Sequence, residues 1–494
     1  MKKQIKITAL AAAAVLCTSA MAFAAPAQLN VYGASAQGDF WVAEALPFLQ
    51  SLGCKQSDGI AALNSTNTGT GKVAFTGSGT KVTYSYTEGY NCSDTAVPLD
   101  AADGKRNIII RTGGIASLEG PLAVKLLAPL ETEAAAGCAP GSRLLPTNTT
   151  IAALSDLACY PVVVGTTDLK VENINQKAND ELGNAYFMPD TSNFGGGLTA
   201  TQTLAVPFAF AVNTGVKARH CYDTVTASTV ATKLSGFYCT DDNQCGAPAT
   251  GHTRTCKATS ETIDNITRAQ AVQIFSGKVT NWQDLDKGFD SLATAVCLRV
   301  PGSGTHAALE KVVMTAGDTG WGAKLVGDNL PPSVDYRKTS DNMVECINGG
   351  TSDAGSVVGA IGYLDADKDL KTKTGLVKVN YNGAFPSRIN VRKGVYDYYT
   401  IGQMYINPTT VNDTVGNLAV YNKLAAFIVN PLNIPGTVVM TGSGTGSTSA
   451  SPYLLTATAG SKATWWATLA EMKFVRSTDL KYPAKVTPTK YVNP

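Results

Sequence analysis

Arg299, Pro301, Gly302, Ser303, Gly304 and Thr305 stand together in the stretch LRVPGSGTHAAL, between an apolar run and a segment of helical pattern. Their types suit one kind of chemistry. A helix that begins after Ser303 or Thr305 leaves backbone N–H groups unpaired in its first turn. Those groups and the helix dipole attract negative charge. The glycines allow close approach to the backbone, and the hydroxyls of Ser303 and Thr305 donate hydrogen bonds. Arg299, on the strand before the loop, offers a planar cationic fork suited to an oxyanion. The alternative is that Ser303 or Thr305 merely caps a helix, as such residues commonly do. Catalysis fits less well. Gly302-Ser303-Gly304 lacks the second glycine of a nucleophile elbow, and His306, three residues after Ser303, follows the helix rather than completing a triad. No catalytic residue is assigned, and the chain is not expected to be an enzyme.

Such a loop needs a strand before it and a helix after it, and that order repeats along the chain. Gln28 to Tyr32 is strand-like, followed by Gly33-Ala34-Ser35-Ala36 and a helical pattern through Trp41, Ala45 and Leu49. Asn107 to Arg111 is an apolar strand, followed by Gly113-Gly114 and a helical pattern through Leu118, Leu122 and Val124. Tyr160 to Val164 reads as a strand ending in Gly165-Thr166-Thr167-Asp168. The pattern is that of an α/β fold with binding residues on loops at strand ends. Thr267 with Gln270 predicts a capping box ahead of Ala271, Ile274 and Phe275. The stretch 65–103, rich in Thr, Ser and Gly and alternating in KVTYSYTEGY, predicts a hairpin insertion. TGSGTGSTSASP, Thr441 to Pro452, reads as a low-complexity linker or loop.

The chain of 494 residues is long enough for more than one domain. Its net charge of +2 argues against a broad nucleic-acid surface, though not against a small positive pocket. Lys2, Lys3 and Lys6 precede an apolar run and the small-x-small pattern Ala22-Phe23-Ala24, so residues 1–24 read as a signal peptide and the mature chain as periplasmic or secreted. No later run reaches the ~18–20 apolar residues of a membrane helix. Ten cysteines follow the signal, an even number that in an exported chain reads as disulfides. Neighbouring positions point to Cys54–Cys92, Cys138–Cys159 and Cys297–Cys346. The cluster in 220–256 is expected to pair within itself, as Cys221–Cys256 and Cys239–Cys245, and to staple a Cys-rich insertion. No Cys-x-x-Cys pair is present and there are three histidines, so no metal site and no cofactor are expected.

Several motifs then fall in one order. GASAQGDF (Gly33 to Phe40), VGTTDLKVENI (Val164 to Ile174), LAVPFAFAVN (Leu204 to Asn213), ITRAQAVQIFSGKVTNWQDL (Ile266 to Leu285), LRVPGSGTHAAL, VVGAIGYL (Val357 to Leu364) and FPSRINVRKGVYDYY (Phe385 to Tyr399) resemble the phosphate-binding protein of bacterial phosphate ABC transporters, within the periplasmic-binding-protein superfamily. The resemblance spans Asn30 to about Pro435. It implies a two-lobed type II fold with crossing hinge strands, here with disulfide-stapled insertions, that closes on an anion by hinge motion. Lobe I would hold residues 25–213 and 386–494, with the hairpin insertion, and lobe II residues 214–385, with the Cys-rich one. The implied partners are phosphate or another small oxyanion and an ABC-transporter permease.

The resemblance implies an anion site of Ser35, Ala36, Gln37, Asp168, Arg299, Ser303, Gly304 and Thr305, with Asp168 holding the arginine. Gly113, Gly114, Ser117 and Thr167 are further candidates, although the two glycines and Ser117 equally suit a packed turn. Two positions depart from the family. Gln37 stands where it has a threonine. Pro301 stands where it has an aspartate that accepts the proton of hydrogen phosphate and repels sulfate; proline offers no such acceptor. The function expected is oxyanion binding for uptake. The alternative is an extracellular scaffold or adhesin-like protein with a degenerate site.

Overall fold

The computed structural model describes residues 26–75, 81–100, 103–130, 137–174, 191–315, 334–349, 358–368, 370, 373–409, 417–430, 433 and 466–486. The expected signal peptide and the linker at Thr441 to Pro452 lie outside the described residues.

Along the chain run β1 (Ala27–Gly33), α1 (Gly38–Ser51), the hairpin β2 (Thr68–Ala74) and β3 (Lys81–Gly89), β4 (Ile108–Gly113), α2 (Glu119–Val124), β5 (Ser142–Pro146), β6 (Leu157–Pro161), β7 (Val164–Thr167) and the long β8 (Thr199–Asn213). Next come β9 (Lys217–Ala218), β10 (His220–Val225), β11 (Ala231–Tyr238), β12 (His252–Cys256), β13 (Glu261–Thr262), β14 (Asn265–Ile266), α3 (Arg268–Phe275), β15 (Ala295–Arg299), α4 (Gly304–Ala308), β16 (Val334–Arg337) and α5 (Ser340–Ile347). The chain continues through β17 (Ala360–Asp365), β18 (Leu376–Tyr381), α6 (Arg388–Arg392), β19 (Tyr399–Ile406), α7 (Asn417–Ile428), β20 (Ala467–Thr468), β21 (Phe474–Val475) and β22 (Ala484–Lys485).

The architecture is mixed α/β. The main sheet follows the order β16-β15-β17-β8-β19-β7-β1-β4-β3-β2, with β18 and β20 also joined to β8. β1 lies parallel to both β4 and β7, and β15 lies parallel to β16 and β17. Each of these strands ends in a loop, as the strand-turn-helix order requires.

β8 connects the two halves of this sheet. Its first part pairs with β19, down to Pro207 opposite Tyr399. From Phe208 onward it pairs with β17 and then also with β18. The change of partner falls at a proline, which has no N–H to give to a ladder. The neighbours close the gap: Ala366 N–H donates to the Pro207 carbonyl at 3.0 Å and Phe208 N–H donates to the Tyr398 carbonyl at 3.0 Å. The run Leu204–Val212 is buried on both faces, which explains why its sequence is continuously apolar rather than alternating.

The capping box forms as the sequence suggests, with the Thr267 side chain accepting from Gln270 N–H and the Gln270 side chain accepting from Thr267 N–H. The strand read from Tyr160 to Val164 is in fact two. β6 ends at Pro161 and pairs with β5. The chain then steps across, with Val163 N–H on the Asn30 carbonyl at 2.9 Å, and β7 joins the main sheet.

Disulfides join Cys54 to Cys92, Cys138 to Cys159 and Cys297 to Cys346. The Cys-rich segment folds as the three-stranded sheet β11-β10-β12. Its bridges differ from the pairing expected above: Cys221 joins Cys245 and Cys239 joins Cys256, instead of Cys221–Cys256 and Cys239–Cys245. The cause is the turn Asp242–Cys245. Asp241 caps it, and Asp242 accepts from Cys256 N–H at 2.7 Å, so the turn folds back over the sheet and delivers Cys245 to Cys221. The sulfurs of Cys221, Cys239 and Cys245 lie within 4.8 Å of one another because two bridges stack there, which leaves no thiolate for a metal.

Candidate anion-binding site

The ends of β1, β4 and β7 meet the ends of β15 and β17 where the two halves of the sheet face each other. Residues 35–37 form one short turn between β1 and α1. Ala36 turns into the core, and Gln37 is fully buried. The Gln37 amide nitrogen donates to the Thr167 carbonyl at 2.7 Å and to Asp168 Oδ1 at 3.3 Å. Ser117, from the loop between β4 and α2, donates its hydroxyl to Asp168 Oδ2 at 2.8 Å. The Asp168 carbonyl accepts from the Thr400 hydroxyl on β19. Asp168 is therefore gripped from three elements, all by neutral donors.

On the facing side, Ser303 caps α4 and accepts from His306 N–H at 3.4 Å. The plain capping role weighed above is thus realised. It coexists with an unusual approach. A Cβ on Gly304 would lie 2.1 Å from the Ser117 hydroxyl and 2.5 Å from Asp168 Oδ2, so only glycine lets the first turn of α4 meet that carboxyl. The halves also touch through the backbone, with Leu118 N–H donating to the Gly302 carbonyl at 3.1 Å. The carboxyl of Asp168, itself one of the expected site residues, fills the space between Ser117, Gln37 and Gly304.

Arg299, at the end of β15, is buried and points into the same seam, but its N–H groups meet protein acceptors. Nε donates to the Arg337 carbonyl at 3.2 Å, and the terminal nitrogens donate to Ser340 Oγ at 3.0 Å, the Lys338 carbonyl at 2.9 Å and the Ile115 carbonyl at 3.4 Å. Asp168 is not among these acceptors, although the charge of Arg299 acts on its carboxyl. Ser340 passes the contact on, donating to Asp365 Oδ2 at 2.8 Å. Thr305 donates to the other oxygen of Asp365 at 3.3 Å.

Three of the further candidates serve packing. A Cβ on Gly113 would strike the Tyr84 ring and one on Gly114 the Gly33 carbonyl, while the Thr167 hydroxyl is bonded to the Leu169 carbonyl. A cleft of about 50 Å3 opens beside the seam. Ser35 and Gly114 are the expected site residues that line it; Ser340, Asp341, Asp365, Lys81 and Lys368 line it too. Lys72, from the hairpin, reaches Asp341 at 3.1 Å on α5, and Lys368 reaches it at 2.7 Å.

Burial is the main reason the Asp168 carboxyl is pushed up to about 7, and the charge of Asp365 adds to it. Ser117, Gln37 and Arg299 pull the other way without cancelling the effect. Burial likewise drives His306 down to about 4, so its ring is neutral and shares a hydrogen bond of 2.6 Å with the Tyr363 hydroxyl.

Sequence reasoning missed Asp365 and Ser340. Each begins or ends an element distant in sequence, and neither lies in a motif of small residues. The nearest signal was the polar residue closing the apolar run AIGYLD, where a strand end faces the loops of its neighbours.

Residues 251–428 match the PBP superfamily domain, so the resemblance holds at that level for the motifs from Ile266 to Tyr399. Among solved structures, the chain is similar to an ABC-type phosphate transport receptor from Vibrio cholerae, at 11% identity over 81% of this chain and 96% of that one, with a TM-score of 0.37. It is also similar to a phosphate binding protein from Stenotrophomonas maltophilia, at 10% identity over 85% and 86%, with a TM-score of 0.39. A high affinity periplasmic phosphate-binding protein, PfluDING, is similar at 11% identity over 92% and 96%, with a TM-score of 0.37. No curated protein matches the chain. Among the described residues, no helix is long and apolar enough to cross a membrane.

Proposed function

We propose that the chain is an exported solute-binding protein, periplasmic or secreted, that takes phosphate or a related small oxyanion between two lobes and presents it to an ABC-transporter permease. Lobe I comprises residues 25–213 and 386–494, lobe II residues 214–385, and β8 with β19 forms the crossing. One observation carries the reading. A carboxyl group, itself an oxyanion when ionised, sits where Ser117, the Gln37 amide and the glycine at the start of α4 converge. A solute oxyanion uses the same donors.

A second reading, a scaffold with a degenerate site, is favoured by one feature: Arg299 gives its N–H groups to carbonyls and to Ser340. Calorimetry on the mature protein with phosphate, sulfate and a phosphate monoester separates the two. Saturable heat with one of them, weakened at least tenfold by Ser117→Ala with Gln37→Ala, supports the receptor. No heat with any of them, in protein that melts cooperatively, supports the scaffold.

A further inference from the structure

The cleft beside the seam is lined by two kinds of group. The turn after β1 contributes Ser35, and β3 of the hairpin contributes Lys81 and Thr83. Among the described residues these three side chains have no hydrogen-bond partner. α5, the end of β17 and the residues after it contribute the carboxyl groups of Asp341, Asp365 and Asp367. Asp341 is tied to Lys72 and Lys368, and Asp365 to Ser340 and Thr305. An ionised carboxyl has about four acceptor sites, so these bonds leave both able to accept more.

Such a lining discriminates by hydrogen-bond chemistry. An anionic group there is repelled by three carboxyl groups, and an ammonium group by Lys81 and Lys368. An apolar group takes water from all of them and returns no bond. A hydroxyl group suits both kinds of lining, since it accepts from Lys81, Ser35 or Thr83 and donates to a carboxyl. The cleft of about 50 Å3 holds roughly four water-sized groups, room for an arm of about three carbons with its hydroxyls. It also adjoins the donors of the seam. Ser340 lines it and accepts from Arg299 at 3.0 Å, while Ser35 and Gly114 belong to the loops that carry Gln37 and Ser117.

We propose that this cleft is a subsite for the organic part of the ligand, and that the oxyanion taken by the chain is the phosphate monoester of a small polyol. Its phosphate lies in the seam, and its hydroxyl groups lie between Lys81 and the carboxyl groups of Asp365 and Asp367. The proposal rests on the oxyanion reading above and names the class of ligand. It also gives the hairpin β2–β3 a part in specificity, because Lys81 and Thr83 reach the cleft from that element.

Three probes test it by calorimetry on the mature protein: glycerol phosphate, ethyl phosphate and inorganic phosphate. The two esters carry the same charged group, and only the first has hydroxyls. Glycerol phosphate should bind at least about tenfold more tightly than ethyl phosphate, the discrimination expected when a site's polar groups are left unmatched by the analogue. Lys81→Ala and Thr83→Val, both at the rim of the cleft, should each weaken glycerol phosphate about three- to tenfold. Both variants should leave ethyl phosphate and inorganic phosphate within about twofold of wild type. Equal affinity for the two esters, or tighter binding of inorganic phosphate than of glycerol phosphate, overturns the subsite and leaves the oxyanion reading intact. A loss in Lys81→Ala that is the same for all three probes also overturns it, since that marks a general attraction of anions. Absence of binding by all three, in protein that melts cooperatively, overturns both readings.

Discussion

At the corner where α6 meets the C-terminal segment, Glu471 is fully buried, accepts from the Arg388 guanidinium at 2.8 Å and forms an ion pair with Arg392 at 3.1 Å. At the seam, Asp168 is buried as deeply and has a guanidinium nearby, yet its carboxyl accepts from a hydroxyl and an amide. The same residue types make opposite environments. Glu471 has two positive partners for one negative charge, and Thr468 N–H adds a further bond at 2.8 Å. Asp168 shares one positive group, itself engaged with carbonyls, with a second carboxyl. A third case sets the scale: Glu44 of α1 is buried with neither oxygen bonded among the described residues, and burial pushes it up to about 9. Asp168, with partial compensation, stands between. A paired buried charge fixes a corner permanently, while a half-compensated one can exchange its proton or its place.

The sharpest way to break this contrast is to remove the paired carboxylate. Glu471→Gln leaves Arg388 and Arg392 buried without a counter-charge. It should cost about 3–5 kcal/mol, read as a lower urea midpoint with an unchanged slope. A loss below about 1 kcal/mol would mean the corner is not built on charge.

Asp168→Asn should do the reverse at neutral pH. The folded carboxyl titrates near 7 against an ordinary 3.8. Its sign follows from linkage: a carboxyl raised in the folded state contributes most below the ordinary value, and that contribution is lost as pH rises through the folded one. Between pH ~4 and ~7 the wild type should lose up to about 4 kcal/mol from this group, an upper figure that relaxation of the seam reduces. The asparagine variant should lack that slope. Denaturation of both proteins at several pH values checks it, and parallel curves refute the half-compensated picture.

Gly304→Ala tests the contact itself. The new methyl would stand 2.1 Å from the Ser117 hydroxyl, a side chain able to turn away, and 2.5 Å from Asp168 Oδ2. The expected cost is about 1–3 kcal/mol. Adding Ser117→Ala should restore part of it, because the two positions touch and their effects cannot be additive. Full additivity in the double variant would place the clash elsewhere.

Much of this was legible in the sequence, for reasons that can be named. Strand, small-residue turn and helix succeed one another within a few residues, so Gln37 and Asp168 could be assigned to strand-end loops and Arg299 to the strand before the Gly302–Thr305 loop from local pattern alone. The Thr267 capping box is equally local. What stayed hidden depends on crossings. Asp365 and Ser340 join the seam because β17 and α5 happen to end there, and no spacing announces it. Pro207 marks the partner exchange of β8 only once its neighbours are known. The four cysteines of the stapled sheet were correctly confined to one another, but their connectivity depends on a turn folding over the ladder. Pro301 was read as the loss of a carboxylate from the site; the structure supplies one from Asp365, a different strand end.

The smallest expected effect concerns the rim of the same seam. Lys72 of the hairpin and Lys368 both reach Asp341, but they are not equivalent. The Lys72 side chain is 52% exposed and Lys368 19%. Burial opposes ionisation of Asp341, yet the nearby Lys368 and Lys72 more than offset it and hold the carboxyl below its ordinary value. An exposed lysine gives up side-chain freedom and is screened by salt, so its ion pair is worth about 0–1 kcal/mol. Removing Lys72 also leaves Asp341 with its better-buried partner at 2.7 Å. Lys72→Ala should therefore change stability by less than about 0.5 kcal/mol, and less still at high salt. Lys368→Ala should cost more, because the remaining partner is the exposed one. Thermal melts of the two variants at low and high salt decide the order. A larger loss from Lys72→Ala would mean the hairpin clamps the cleft, and the contrast between a fixed corner and an exchangeable seam would then have to include its rim.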